Sequence, residues 1–188
     1  MKKISLLGST GSIGTNVLDV IERNPEQFQI LGMSAGNNVD LFAKQIRKFK
    51  PRVVALFDTK KIPTLKERIA DLDIEILSGE EGTIAVATLP EADVVVSGVM
   101  GSAGLLPAIH ALKSGKNLAL ANKETLVIAG ELVLREAKKT NSQIIPIDSE
   151  HSAIFQVLNG EKKEQIKKII LTASGGPFRT FSFDQMET

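Results

Sequence analysis

Two hydrophobic patterns alternate along the chain. Short apolar runs rich in Val, Ile and Leu, each ending in a turn, are separated by stretches whose apolar residues recur at three- and four-residue spacing. The runs fall at 3–7, 28–34, 51–57, 74–77, 93–97, 117–121, 143–147 and 166–172, and read as strands. Helices are expected over 39–49, 64–72, 80–89, 101–113 and 123–139, preceded by one that carries Ile13, Val17, Leu18 and Ile21 on a single face. A further helix holds Ala153, Ile154 and Val157. Strands that are apolar at nearly every position, alternating with helices, signal a parallel sheet covered on both faces. Pro146 places the run at 143–147 at an edge or end of the sheet. Residues 160–164 read as a solvated turn, and the stretch 181–188 has no capped ending and carries Phe residues that call for a packing partner.

The first strand runs into Gly8-Ser9-Thr10-Gly11-Ser12-Ile13-Gly14, and the helix opens within it. Gly8 permits the sharp turn, Gly11 a close approach of a diphosphate to the backbone, and Gly14 tight packing of helix on strand. Free N–H groups of the first helical turn face the anion, and Ser9, Thr10 and Ser12 add hydroxyl donors that a merely structural turn does not require. The spacing is G-x-x-G-x-x-G rather than G-x-G-x-x-G, so the strand before and the helix after carry the assignment. The fold class expected is therefore α/β, a Rossmann-like doubly wound, mainly parallel sheet with helices on both faces, followed by the start of an α+β domain. The second strand ends in Ser34-Ala35-Gly36-Asn37-Asn38, without the carboxylate that grips the ribose of NAD. Nothing there repels a ribose 2′-phosphate and two Asn side chains can donate to it, so NADP is preferred over NAD, although Asn-Asn before a helix is also an ordinary N-cap with no Arg or Lys beside it in sequence.

Composition narrows the function classes. The 188 residues suffice for one well-packed α/β domain and the start of another. A net charge of +1 argues against nucleic acid or an anionic membrane as the main partner, and no stretch approaches membrane-spanning length. The chain has no Cys, which excludes thiol catalysis and thiolate metal sites and leaves the cytoplasm as the default location.

Three further polar clusters follow strands, where ligands collect in open α/β sheets. In Ala121-Asn122-Lys123-Glu124, Lys123 sits at the start of a helix, a place the macrodipole disfavours for a cation, so an anionic ligand is expected beside it. In Asp148-Ser149-Glu150-His151, continued extension would put Asp148 and Glu150 on one face as hard oxygen ligands for a divalent cation. The competing reading makes Asp148 the N-cap of the next helix, with Glu150 in its first turn and His151 on its surface. Thr172-Ala173-Ser174-Gly175-Gly176-Pro177-Phe178-Arg179 is either a plain turn or a loop whose amides and hydroxyl hold a hydroxylated or phosphorylated substrate.

Taken in order, these motifs resemble 1-deoxy-D-xylulose 5-phosphate reductoisomerases, over residues 1 to about 180. The resemblance implies an NADPH-binding domain over 1–147 and the beginning of a catalytic domain over 148–188. It implies NADPH- and metal-dependent rearrangement and reduction of the ketose phosphate to 2-C-methyl-D-erythritol 4-phosphate, in non-mevalonate isoprenoid biosynthesis. By it, Thr10, Gly11, Ser12 and Ile13 bind the NADPH diphosphate, Gly36, Asn37 and Asn38 the adenosine ribose phosphate, and Asn122 and Glu124 the nicotinamide half. Lys123 and Glu150 serve catalysis, Lys123, Ser149, Glu150 and Ser174 contact the sugar phosphate, and Asp148 and Glu150 hold Mg or Mn. A homodimer is implied for the full-length protein.

Two departures matter. Asn37 stands where many relatives carry Lys or Arg, which weakens the expected NADPH preference. Family members also run about twice as long, so the chain is expected to be a truncated piece that binds nucleotide and turns over little substrate. The residues alone leave open a different NADP-dependent dehydrogenase, such as a homoserine-dehydrogenase-like enzyme, and a non-enzymatic nucleotide-sensing module.

Overall fold

A computed structural model describes residues 1–171 and 180–186. Seven parallel strands form one sheet: β1 (Lys2–Leu7), β2 (Phe28–Ala35), β3 (Val53–Leu56), β4 (Glu75–Ser78), β5 (Val94–Ser97), β6 (Asn117–Leu120) and β7 (Ile144–Pro146), in the order β4-β3-β2-β1-β5-β6-β7. All six pairings are parallel, as the continuous apolar runs require. The chain winds outward from β1 to β4 and then returns to lay β5 on the other side of β1. Strand order therefore reverses between β1 and β5, the place where doubly wound sheets open a crevice beyond their carboxyl ends.

Six helices cover the sheet, and their apolar stripes sort by face. Helices α1 (Ser12–Arg23), α2 (Val39–Phe49) and α3 (Ile62–Arg68) contribute Leu18, Ile21, Phe42 and Ile46, and Leu65 to one core, together with Ile4, Leu6, Val54 and Leu56 of the strands. Helices α4 (Gly79–Ala87), α5 (Leu105–Lys113) and α6 (Glu124–Thr140) pack Val86, Leu112, Val133 and Ala137 with Leu7, Val53, Ala55 and Leu118 on the other. Consecutive strand residues thus belong to opposite cores, which is why the runs are apolar throughout rather than alternating. The edge strand β7 is three residues long and ends at Pro146, whose missing N–H is tolerable where only one neighbour strand exists.

The chain divides into two compact units, Met1–Ile147 and Asp148–Thr188. The second contains α7 (Ser149–Leu158), a helix without a buried residue, and a short α8 (Phe183–Met186). The strand expected at 166–172 is absent among the described residues: 166–171 are irregular, with Ile169, Ile170 and Leu171 more than half exposed. Its pattern suits a strand, but a strand forms only when paired, and residues 166–171 take part in no strand pairing among the described residues.

Candidate functional site

The turn after β1 is determined by main-chain contacts. Gly8 adopts φ +79°, in the left-handed region, and its N–H and that of Ser9 donate to the Ser34 carbonyl of β2 at 3.0 and 2.8 Å. A Cβ on Gly8 would lie 3.0 Å from the Gly98 carbonyl, so the loops following β1 and β5 touch backbone to backbone at the reversal of strand order. Gly14 is tighter still, since a Cβ there would meet the Gly8 oxygen at 2.3 Å and the Ser9 Cα at 2.5 Å. Its absent side chain sets the distance between α1 and the strand end.

Helix α1 starts with Gly11 as N-cap and no side-chain cap, so the N–H groups of Ser12, Ile13 and Gly14 have no intrahelical acceptor. Gly11 and Ser12 are exposed, Thr10 and Ile13 half-buried. A Cβ on Gly11 would meet the Gly8 and Gly98 oxygens at 3.4 and 3.9 Å, ordinary contact distances, so the fold leaves room at this position. These features make an anion cradle from donors held by backbone geometry. Two groups beside the cradle are already committed, and the second corrects an expectation. The Gly11 N–H donates to the Gly8 carbonyl at 3.1 Å and is not a free donor. The Ser9 hydroxyl points inward: it is fully buried and donates to Gln45 Oε1 at 2.8 Å, while Gln45 Nε2 donates to the Ser9 carbonyl at 2.9 Å. Ser9 ties the loop to α2, which leaves Thr10 and Ser12 as the hydroxyls available to a ligand.

At the end of β2, Gly36, Asn37 and Asn38 are exposed. Asn38 caps α2, its Oδ1 accepting from Leu41 N–H at 3.2 Å, so the capping reading is realised while its Nδ2 remains a donor. Sequence reasoning missed a cation here. The Lys61 ammonium donates to the Asn37 carbonyl at 3.0 Å from 24 positions downstream.

Asn122 is buried behind the β5 and β6 ends. Both Nδ2 hydrogens are committed, to the Val99 and Gly101 carbonyls at 2.6 and 2.8 Å, and Oδ1 accepts from Glu124 N–H at 2.9 Å. Its side chain thereby holds the loop after β5 against the start of α6, so what it offers a ligand is the placement of that loop. Lys123 stands at the N-cap of α6, one position earlier than expected, and Glu124 opens the first turn; both are exposed. Lys123 has no ion pair among the described residues, which leaves its charge available to an anion. Inside α6, Ala129 is non-helical at φ −145°, ψ 36°, which separates the Glu124–Ile128 segment from the part anchored by Val133 and Ala137.

In the second unit the extended geometry expected for Asp148 and Glu150 does not occur. Asp148 is the N-cap of α7, and residues two apart in a helix project about 200° apart around its axis. The Asp148 Oδ2 accepts from the His151 N–H at 3.2 Å and lies 2.5 Å from His151 Nδ1. Partial burial opposes ionisation of Asp148, but the His151 ring and N–H outweigh it and hold the carboxyl below its ordinary value. The Ser149 hydroxyl donates to Glu150 Oε2 at 2.8 Å. Two hard carboxylates therefore share one helical turn, and no group of three metal-ligating side chains occurs among the described residues. The donor chemistry suits Mg or Mn, with other ligands needed to complete the shell. Ser174 and its loop lie outside the described residues.

Residues 4–130 match the family profile described as 1-deoxy-D-xylulose 5-phosphate reductoisomerase, and residues 144–188 that of its C-terminal domain. A reductoisomerase of Lachnospira eligens is 52% identical over 179 residues, covering 95% of this chain and 47% of its own length. The Zymomonas mobilis enzyme, solved in complex with NADPH, superposes with a TM-score of 0.90 at 37% identity over 98% of this chain and 48% of that one. A reductoisomerase solved with NADPH, fosmidomycin and magnesium gives 0.88 at 37% identity over 99% and 48%. The chain spans about half the length of the curated relatives it matches. The glycine loop, the parallel sheet around it and these matches lead to one assignment: the chain belongs to the 1-deoxy-D-xylulose 5-phosphate reductoisomerase family.

Proposed function

We propose that the protein carries out the NADPH- and divalent-metal-dependent rearrangement and reduction of 1-deoxy-D-xylulose 5-phosphate to 2-C-methyl-D-erythritol 4-phosphate, and that these 188 residues by themselves bind the nucleotide but sustain little turnover. The observation that carries the reading is the cradle at the β1–β5 reversal, in which the first-turn amides of α1 are free while the loop around them is held by backbone contacts. The likeness to the Zymomonas mobilis structure with NADPH supports the same ligand.

In this reading Thr10, Gly11, Ser12 and Ile13 receive the diphosphate, and Gly36, Asn37 and Asn38 the adenosine ribose phosphate. Asn122 and Glu124 border the nicotinamide half, Asn122 through the Val99–Gly101 carbonyls it holds. Lys123, at a helix start that disfavours a cation, is offset by the anionic sugar phosphate. Ser149, Glu150 and Ser174 contact the same substrate, and Asp148 and Glu150 hold the cation. A divalent ion bound there supplies Lewis-acid polarisation of the substrate oxygens. His151 keeps the Asp148 carboxyl ionised and oriented through its ring nitrogen. The catalytic roles belong to Lys123 and Glu150, and the full-length protein is a cytoplasmic homodimer; no helix among the described residues is long and apolar enough to cross a membrane.

Calorimetric titration with NADPH and NADH, each with and without Mn, tests the nucleotide reading. NADPH is expected to bind more tightly than NADH, and failure of both to bind overturns it. Steady-state NADPH oxidation by these 188 residues at the rate of a full-length relative would refute the second half of the proposal. Metal dependence separates a reductoisomerase from a simple NADP-dependent dehydrogenase, whose activity a chelator leaves untouched. A nucleotide sensor would bind NADPH with no metal-dependent binding of the ketose phosphate.

A further inference from the structure

The end of β3 is stitched to the end of β2 beyond their last paired residues: Phe57 N–H donates to the Ala35 carbonyl at 2.9 Å and Asp58 N–H to that of Gly36 at 3.0 Å. Asp58 then caps a single 3₁₀ turn over Thr59–Lys61, its Oδ1 accepting from Lys60 N–H at 3.2 Å. That turn delivers the Lys61 side chain across to Asn37, where the ammonium donates to the carbonyl at 3.0 Å. One donation leaves two further ammonium hydrogens.

Lys61 borders an open hollow of about 480 Å³ that also takes in Asn37, Asn38, Asp40, Thr64 and Arg68. The one carboxylate among these, Asp40, is paired with Arg68 at 3.1 Å. Its negative charge is thereby offset, and the Lys61 charge is the surplus. The hollow is cationic on balance, polar on its Asn side, and continuous with the segment assigned to the adenosine ribose.

We infer that Lys61 is the coenzyme-specificity determinant of this chain, its ammonium pairing with the ribose 2′-phosphate of NADP(H), while Arg68 pairs with Asp40, the carboxylate that lines the hollow. The inference rests on the dinucleotide reading above. A compact ammonium on a flexible stem is suited to a phosphate at the rim of a site, where no planar fork is required. Asn37, uncharged, supplies the carbonyl that aims the ammonium rather than the charge itself. NADH lacks the phosphate and gains nothing from this arrangement, so the contact discriminates between the coenzymes.

The test is the ratio of NADPH to NADH dissociation constants for the unaltered chain, Lys61→Gln, Lys61→Arg, and Lys61→Gln combined with Asn37→Lys. Charge-assisted hydrogen bonds at an exposed site predict that Lys61→Gln weakens NADPH about tenfold and leaves NADH unchanged. Lys61→Arg should keep the preference, and Asn37→Lys should restore it in the Lys61→Gln background. Raising salt should weaken NADPH binding to the unaltered chain more than to Lys61→Gln. Equal weakening of both coenzymes would reduce Lys61 to a structural tie on the Asn37 loop and overturn the inference, as would an unchanged ratio. In either case both coenzymes still bind and the dinucleotide reading stands. If the unaltered chain binds neither coenzyme, the reading and the inference fall together.

Discussion

The loop after β1 and the turn after β7 both present polar residues at the end of an apolar strand, yet they are built differently. The first is fixed by backbone: Gly8 at φ +79°, Gly14 with no room for a methyl group, and Ser9 locked to Gln45. The second is a row of side chains on α7, a helix with no buried residue, where Asp148 holds His151 and Ser149 holds Glu150. Donors made of main chain are positioned by the fold itself. Carboxylates on a helix start are positioned by neighbouring side chains of the same turn, here His151 and Ser149.

The sharpest way to break this contrast is Gly14→Ala. A methyl group 2.3 Å from the Gly8 oxygen must push α1 off the strand, which is expected to cost about 3 kcal/mol or more. Thermal unfolding should show a drop of about 6–12 °C, with loss of NADPH binding. A near-native Tm would mean that the helix can shift freely and the loop is not overdetermined. Gln45→Leu comes next. It leaves the Ser9 hydroxyl and carbonyl buried without partners, at about 1–3 kcal/mol read by urea denaturation.

Gly11→Ala sharpens the comparison from the other side. Its Cβ meets nothing closer than 3.4 Å, so the loss in stability should stay within about 1 kcal/mol, the scale of an N-cap change to Ala, while NADPH affinity falls. Unchanged affinity would place the diphosphate elsewhere. In α7, Asp148→Ala should cost about 1 kcal/mol of helix stability, and Asp148→Asn, itself a good cap, almost nothing. Because the folded carboxyl titrates below its ordinary value, its contribution is complete above that value and disappears as pH falls through the lowered one. An NMR titration of the α7 amides that melts instead near neutral pH would contradict this.

Much of the fold was legible because burial on both faces writes itself into composition. Seven of the eight apolar runs became strands, and Pro146 stands at the end of the edge strand β7. The run at 166–172 shows the limit of local pattern, because pairing depends on a neighbour that periodicity does not encode. At the glycine loop the turn and the close packing at Gly14 were readable from residue type, but the inward rotation of Ser9 depended on Gln45, 36 positions away. Lys61 was invisible for the same reason: it reaches Asn37 only because β3 runs beside β2. At Asp148 two local readings competed, and an Asp followed by an apolar helical pattern capped the helix rather than extending the strand.

The contact between Gly14 and Gly8 has an evolutionary corollary. Gly14, whose N–H belongs to the cradle, is also the residue that seats the first helix, so a lineage cannot drift at that position without losing the domain. A change of coenzyme must then begin at the periphery, where one solvent-facing ammonium is exchangeable at negligible penalty to the interior.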